Sequence, residues 1–141
     1  MEQNYKNHRQ IVPFWHVITS LLLIAALSGS IVNLIHADAH LHYTAAVVCT
    51  ITLILVIFYV YIRSFALKAQ DRAIRAEESL RHYILTGKPI NKQLRLGQII
   101  ALRFASDEEL PVLAKKAADE NLSSKQIKLE IKNWKADTHR V

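Results

Sequence analysis

The chain has 141 residues, 51% hydrophobic and 21% charged, with 18 Lys and Arg against 12 Asp and Glu, a formal net charge of +6. A mean hydropathy of +0.12 resembles that of a soluble domain, but the distribution excludes a uniform one. From Gln10 to Ile62 there is no Lys or Arg, and Asp38 is the one acid. The pattern is an apolar block joined to a charged block, and it is too regular for a disordered chain.

Residues 1–10 form a short polar start carrying Lys6 and Arg9. Residues 11–35 and 43–62 are two apolar runs, each long enough to cross a hydrocarbon core, which takes about 20 helical residues. Residues 36–42, His-Ala-Asp-Ala-His-Leu-His, allow only a tight connection. In lipid each segment must satisfy its own backbone, so both runs are predicted as α-helices, a transmembrane hairpin. The first run exceeds the 7–15 apolar residues of a signal peptide, although Ala37-Asp-Ala39 mimics a cleavage site.

Lys6 and Arg9 precede the first run, and Arg63, Lys68, Arg72 and Arg75 follow the second; the connection has no base. The positive-inside rule then places both termini in the cytoplasm and the His-rich loop outside. Phe14 and Trp15, then Tyr59, Tyr61 and Phe65, fit aromatic belts at the inner ends. Pro13 suits a first helical turn. Ala25, Gly29 and Asn33 in the first run, and Ala45 and Cys49 or Ala46 and Thr50 in the second, are spaced for close helix approach, against the equal alternative that small residues are simply frequent in membrane helices. Tight packing is therefore expected near the outer loop, with wider separation at the aromatic ends.

Residues 63–141 hold 16 bases and 10 acids. No Gly or Pro interrupts the chain until Gly87, so the second helix is expected to continue as a stalk over 63–87. A helix from Tyr43 to Thr86 would be roughly 66 Å long. Ala66, Ala69, Ala73, Ala76, Leu80 and Tyr83 recur at heptad spacing, a seam against which the rest of the tail is expected to pack. Asp71 with Arg75, and Glu77 with Arg81, are i,i+4 pairs in the favourable order. Gly87 caps the helix and Pro89 prevents its continuation.

The tail, 88–141, reads as short amphipathic helices. Asn91 can cap one over about 92–105, with Leu96, Ile99, Ile100 and Phe104 on its apolar side. Ser106 to Glu109 has capping-box spacing, but Pro111 conflicts with a helix starting there. Either residues 107–109 form a separate turn or the helix bends, and helix proper is expected from about Pro111 to Glu120. Ser123 and Gln126 open a last helix to about Lys135, with Ile127, Ile131 and Trp134 as its apolar stripe and Lys125, Lys128, Lys132 and Lys135 beside it.

Three stretches are distinctive: Gln70-Asp-Arg-Ala-Ile-Arg-Ala-Glu-Glu-Ser-Leu-Arg-His-Tyr83 with Leu85-Thr-Gly-Lys88, Gln98-Ile-Ile-Ala-Leu-Arg-Phe-Ala-Ser-Asp-Glu-Glu109, and Ile131-Lys-Asn-Trp-Lys-Ala-Asp137. In these the chain resembles an uncharacterised bacterial family of short two-span membrane proteins, a domain of unknown function. The resemblance implies a bacterial membrane protein and carries over no catalytic or binding residues.

Candidate chemistry is sparse. His36, Asp38, His40 and His42 are suitable metal ligands two residues apart, against a polar turn of ordinary interfacial His. His16 and His36 lie roughly 30 Å apart along one helix and cannot share a haem. Neither run contains the acid that proton-driven transport usually needs, and Cys49 has no intrachain disulfide partner. Arg81-His82-Tyr83 is read as stalk surface. The Lys stripe is read as a solvated face rather than a nucleic-acid or headgroup contact. No phosphate loop, nucleophile elbow or HExxH motif is present.

The reading is therefore an all-α protein of the bacterial plasma membrane: a transmembrane helical hairpin, a cytoplasmic stalk and short amphipathic helices. It is expected to be no enzyme, to hold no cofactor, metal or catalytic residue, and not to bind nucleic acid. Its partners are the lipid bilayer and a protein partner or second copies of itself. The leading function is a membrane-anchored interaction or accessory protein. The alternatives are a small oligomeric transporter or channel-like protein and an extracytoplasmic metal binder.

Overall fold

A computed structural model describes Asn4, Tyr5, Asn7 and residues 12–137. Lys6, Arg9 and Ile11 lie outside the described residues. A π-helical turn, Phe14–Thr19, leads into α1, Ser20–His36, and then come α2, His42–Thr86, α3, Leu96–Leu102, α4, Leu110–Asp119, and α5, Ser124–Glu130. The described residues hold no strand beyond one isolated bridge, between Ala105 and Trp134. Phe14–His36 and His42–Thr86 are long and apolar enough to cross a bilayer. The chain divides into two compact units, one of Ile11–Phe65 and one of Ala66–Val141 with Met1–Gln10.

In the apolar unit the covered positions of α1 are Ser20, Leu23, Leu27, Ser30 and Leu34, and those of α2 as far as Tyr59 are Ala45, Cys49, Thr52, Val56 and Tyr59. Both rows alternate steps of three and four, the 3.5-residue seam of a left-handed helix pair. The α1 row mixes Leu23, Leu27 and Leu34 with the small Ser20 and Ser30, and the outer part of the α2 row carries Ala45, Cys49 and Thr52. This corrects the expectation for α1: Ala25, Gly29 and Asn33 point outward, as do Ala46 and Thr50. Ala45 and Cys49 are buried as expected.

The aromatic ends are also closer than expected. Trp15 and Tyr59 stack with centroids 4.6 Å apart. The Tyr59 hydroxyl donates to the Trp15 carbonyl at 2.9 Å and lies 2.8 Å from Ser20 Oγ, which also donates to the His16 carbonyl. Two hydroxyl protons thus serve three contacts. Stacking alone tolerates many separations, but a hydroxyl taken out of water needs a partner, and that fixes this one.

The tail unit has its own apolar core. Phe104, Ile99, Leu102, Leu110 and Ile127 are its largest fully buried side chains. Each stabilises the fold by about 1.5–3 kcal/mol relative to exposure. Gly97 permits the close approach of α3 to α5: a Cβ there would stand 3.1 Å from Ser124 Oγ. Gln98 is the buried polar residue within this core. Its Oε1 accepts from the Arg95 N–H at 2.6 Å, and its Nε2 donates to the Leu122 carbonyl at 2.7 Å. It therefore caps α3 and ties it to the end of α4. There Asn121 takes φ +50 and Leu122 N–H donates to the Ala117 carbonyl, a Schellman motif.

Several boundaries differ from those expected. Gly87 does terminate α2 with φ +68. Asn91, however, accepts from the Gln93 N–H in a separate turn, and α3 begins later because Gln98 supplies the cap. Residues 107–109 form the separate turn, Ser106 Oγ accepting from the Glu109 N–H at 3.3 Å. Pro111 then falls in the first turn of α4, where it costs no hydrogen bond. The Ser123–Gln126 capping box forms, but α5 stops at Glu130 rather than Lys135. Glu109 accepts from the N–H groups of Lys132 and Asn133. Lys135 N–H donates to the Phe104 carbonyl at 2.8 Å, and the Trp134 ring lies 5.0 Å from that of Phe104. These bonds require an extended backbone after Ile131. Lys132 and Lys135 consequently lie beyond the helix, and the Lys stripe is broken.

Replacing Gln98 by Leu orphans the Arg95 N–H and the Leu122 carbonyl. The expected loss is about 1–3 kcal/mol per orphaned group. Denaturant unfolding of the full chain in detergent, followed by far-ultraviolet circular dichroism, measures it. Unchanged stability would show that Gln98 is not the tie between α3 and α4.

Candidate interaction surface on α2

From Ala66 onward α2 has one covered side and one open side. Ile74 and Glu78 are buried, with Gln70, Asp71 and Arg81 half-covered. The covered side is fastened by Arg81. Its Nη1 donates to Glu78 Oε2 at 2.9 Å, its Nε donates to Asp107 Oδ1 at 2.7 Å, and its Nη2 donates to the Ala105 carbonyl at 2.7 Å. The partner on α2 is therefore Glu78, not the expected Glu77. The Asp71–Arg75 pair is likewise not closed as an ion pair among the described residues. Ala105 can accept because α3 has ended and the chain has turned to meet Trp134.

Beside this clasp Arg103 Nε pairs with Asp137 at 3.0 Å. A cavity of about 340 Å³ is lined by Ile74, Glu77, Glu78, Arg103, Lys135 and Asp137, among others. Its charges are of mixed sign, and its guanidinium is already matched to a carboxylate. The arrangement suits holding the tail to α2.

The open side carries the heptad seam. Ala69, Ala73 and Ala76 are exposed, and so are Leu80 at 60%, Tyr83 at 54% and Ile84 at 73%. This corrects the expectation that the tail packs on the Ala seam. The tail packs on the side of Ile74 and Glu78, because the Arg81 clasp directs it there. Leu80, Ile84 and Leu85 line a shallow groove of about 310 Å³, bordered by Glu77, Arg81 and Asp107. The result is an apolar strip with charged borders, the composition of a surface that associates. Heptad spacing identified its residues; their exposure was not legible until Glu78 and Asp107 could be placed together.

The other candidates assemble less. His36 Nδ1 lies 2.9 Å from the Val32 carbonyl and His42 Nδ1 3.0 Å from the Ala37 carbonyl, each bonded to its own backbone. Among the described residues no three His, Cys, Asp or Glu are grouped to hold a metal. Arg81 and His82 are not open surface: Arg81 is in the clasp, and His82 Nδ1 lies 3.1 Å from the Lys88 carbonyl, beneath the Gly87 turn. Lys128 Nζ sits 5.4 Å from the Phe104 ring centroid.

The chain belongs to a family of unknown function, DUF6526, whose model matches residues 1–141. No curated protein matches it, and no solved structure does.

The Arg81 guanidinium holds the Asp107 carboxyl below its ordinary value of 3.8, by hydrogen bond first and by charge second. A lowered folded-state value contributes stability above the unfolded pKa, about 4, and loses it as the pH falls through the lowered value. Asp107 is largely exposed, so solvent screening keeps the effect below about 1 kcal/mol. Asp107→Asn is expected to lower tail stability slightly at pH 7 and to match the wild type near pH 2. Paired unfolding curves at the two pH values test this, and a gap that persists in acid would assign the loss to another cause.

Proposed function

We propose that this member of the family is a membrane-anchored interaction or accessory protein, which docks to a protein partner or self-associates through its helical tail. The observation that carries the reading is the open side of α2, where Leu80, Tyr83 and Ile84 stay exposed although the tail has its own completed core. Anchoring is supported by two helices long and apolar enough to cross a bilayer. Large apolar side chains cover their outer faces, Leu21, Leu22, Ile24, Val32, Leu55 and Phe58 among them. In water that surface is costly, whereas in lipid it is matched.

The topology proposed for a bacterial plasma membrane has both termini in the cytoplasm and residues 36–42 outside, on the distribution of flanking bases. The tail then faces the compartment where cytoplasmic or membrane partners are met. The clasp supports this role by keeping one side of α2 closed and the other clear.

Two outcomes are expected in native membranes. The chain resists carbonate extraction, and protease added to right-side-out vesicles leaves residues 88–141 intact while protease in inverted vesicles removes them. Leu80→Asp lowers quantitative recovery of the bound partner or second copy by about tenfold, as for loss of one interface anchor. Full recovery with Leu80→Asp would remove the open side of α2 from the interaction.

A further inference from the structure

We propose that the open side of α2 from Ala66 to Tyr83 pairs with the same side of a second copy of this chain, as a parallel two-stranded coiled coil. The inference rests on the membrane-anchored reading, since two copies inserted with one topology extend α2 in the same direction. Parallel pairing in register is then the arrangement that two anchored chains reach without strain.

The heptad assigns Ala66, Ala73 and Leu80 to position a, and Ala69, Ala76 and Tyr83 to position d. Arg72 then occupies a g position and Glu77 the following e position. In a parallel pair these flanking positions meet across the seam, a g residue facing the e residue five places on in the partner. Arg72 of each copy therefore faces Glu77 of the other, and two-fold symmetry makes the pair twice. Both side chains are exposed, and among the described residues neither has a hydrogen bond or an ion pair. The charges that specify a partner are thus present without an ion pair in the chain, Arg72 on the open side and Glu77 at its border with the tail cavity.

The core of the seam agrees with this. Ala at positions 69, 73 and 76 lets two backbones approach closely, and the exposed Leu80 and Tyr83 close the end farther along the chain. Ile84, at the next e position, extends the apolar strip beside them. The chain's own tail does not compete, because Arg81 fastens it to Glu78 on the other side of the helix. A seam of eighteen residues is short for free peptides. Here it belongs to a longer helix, and confinement in one bilayer raises the effective concentration of the second copy.

Charge swaps in the full-length chain test the pairing, with dimer dissociation measured in micelles and in liposomes. Arg72→Glu alone and Glu77→Arg alone are each expected to weaken the dimer by about fivefold or more, through like-charge contact. The double swap is expected to restore it to within about twofold. In a Cys49→Ser background, Ala76→Cys should cross-link between copies at least about tenfold faster than Arg75→Cys, which lies off the seam. The proposal is overturned if the double swap fails to rescue, or if the two cysteines cross-link equally. If the chain is monomeric throughout but Leu80→Asp still releases a membrane-bound protein partner, self-pairing fails and the accessory reading stands. If the chain is extracted from membranes by carbonate, the anchored reading fails first.

Discussion

One guanidinium decides how the tail is used. Arg81 reaches a carboxylate on its own helix, a carboxylate on the turn before α4, and the carbonyl that the end of α3 leaves open. Glu78 is buried, so losing Arg81 would strand a charge in a poorly solvated place, the costly way to break such a pair. The pair itself contributes little net stability once the desolvation of both ions is counted. Its consequence is geometric: three chain segments must converge on one side of α2, and the Ala-rich side is left open.

The apolar unit is governed by the same requirement in a different setting. Thr50 and Thr52 donate to the carbonyls of Ala46 and Val48, and Ser30 to that of Leu27. These hydroxyls are satisfied within their own helix and leave the pairing surface to shape. Tyr59 differs, because its hydroxyl bonds across to the other helix. A polar side chain that bonds locally tolerates many neighbours, whereas one that bonds across a pair fixes the register of that pair.

The parts legible in the sequence are those set by local chemistry. The absence of Gly and Pro before Gly87 gives the span of α2, and the Ser123–Gln126 spacing gives the start of α5. The conflict between Ser106 and Pro111 resolves through a separate turn, one of the two outcomes the residues allow. The parts not legible depend on partners distant in the chain. α5 stops early because Glu109, twenty-three residues before Lys132, takes backbone N–H groups that a helix would have used. α3 starts late because Gln98, from inside the helix, caps a residue of a type that rarely serves as an N-cap. The outward turn of Ala25, Gly29 and Asn33 has a similar origin, since small residues mark where helices can approach, whereas the α1 row that is covered is Ser20, Leu23, Leu27, Ser30 and Leu34. Among the candidate site residues, the seam was identifiable from its period, but its freedom depends on the Arg81 clasp.

The bridge between Ala105 and Trp134 also bears on when the tail can fold. A ribosome adds about 5–20 residues per second, N-terminal part first. Phe104 is therefore made seconds before the indole that packs against it, and Glu109 before the N–H groups it holds. Until those arrive, α3 and α4 have only part of their enclosure, and a short helix without packing is marginal in water. The apolar helices, by contrast, are complete long before. The order of synthesis thus favours a chain whose first unit is formed while the second is still an open, partly apolar surface, the interval in which such a segment is most exposed to wrong contacts.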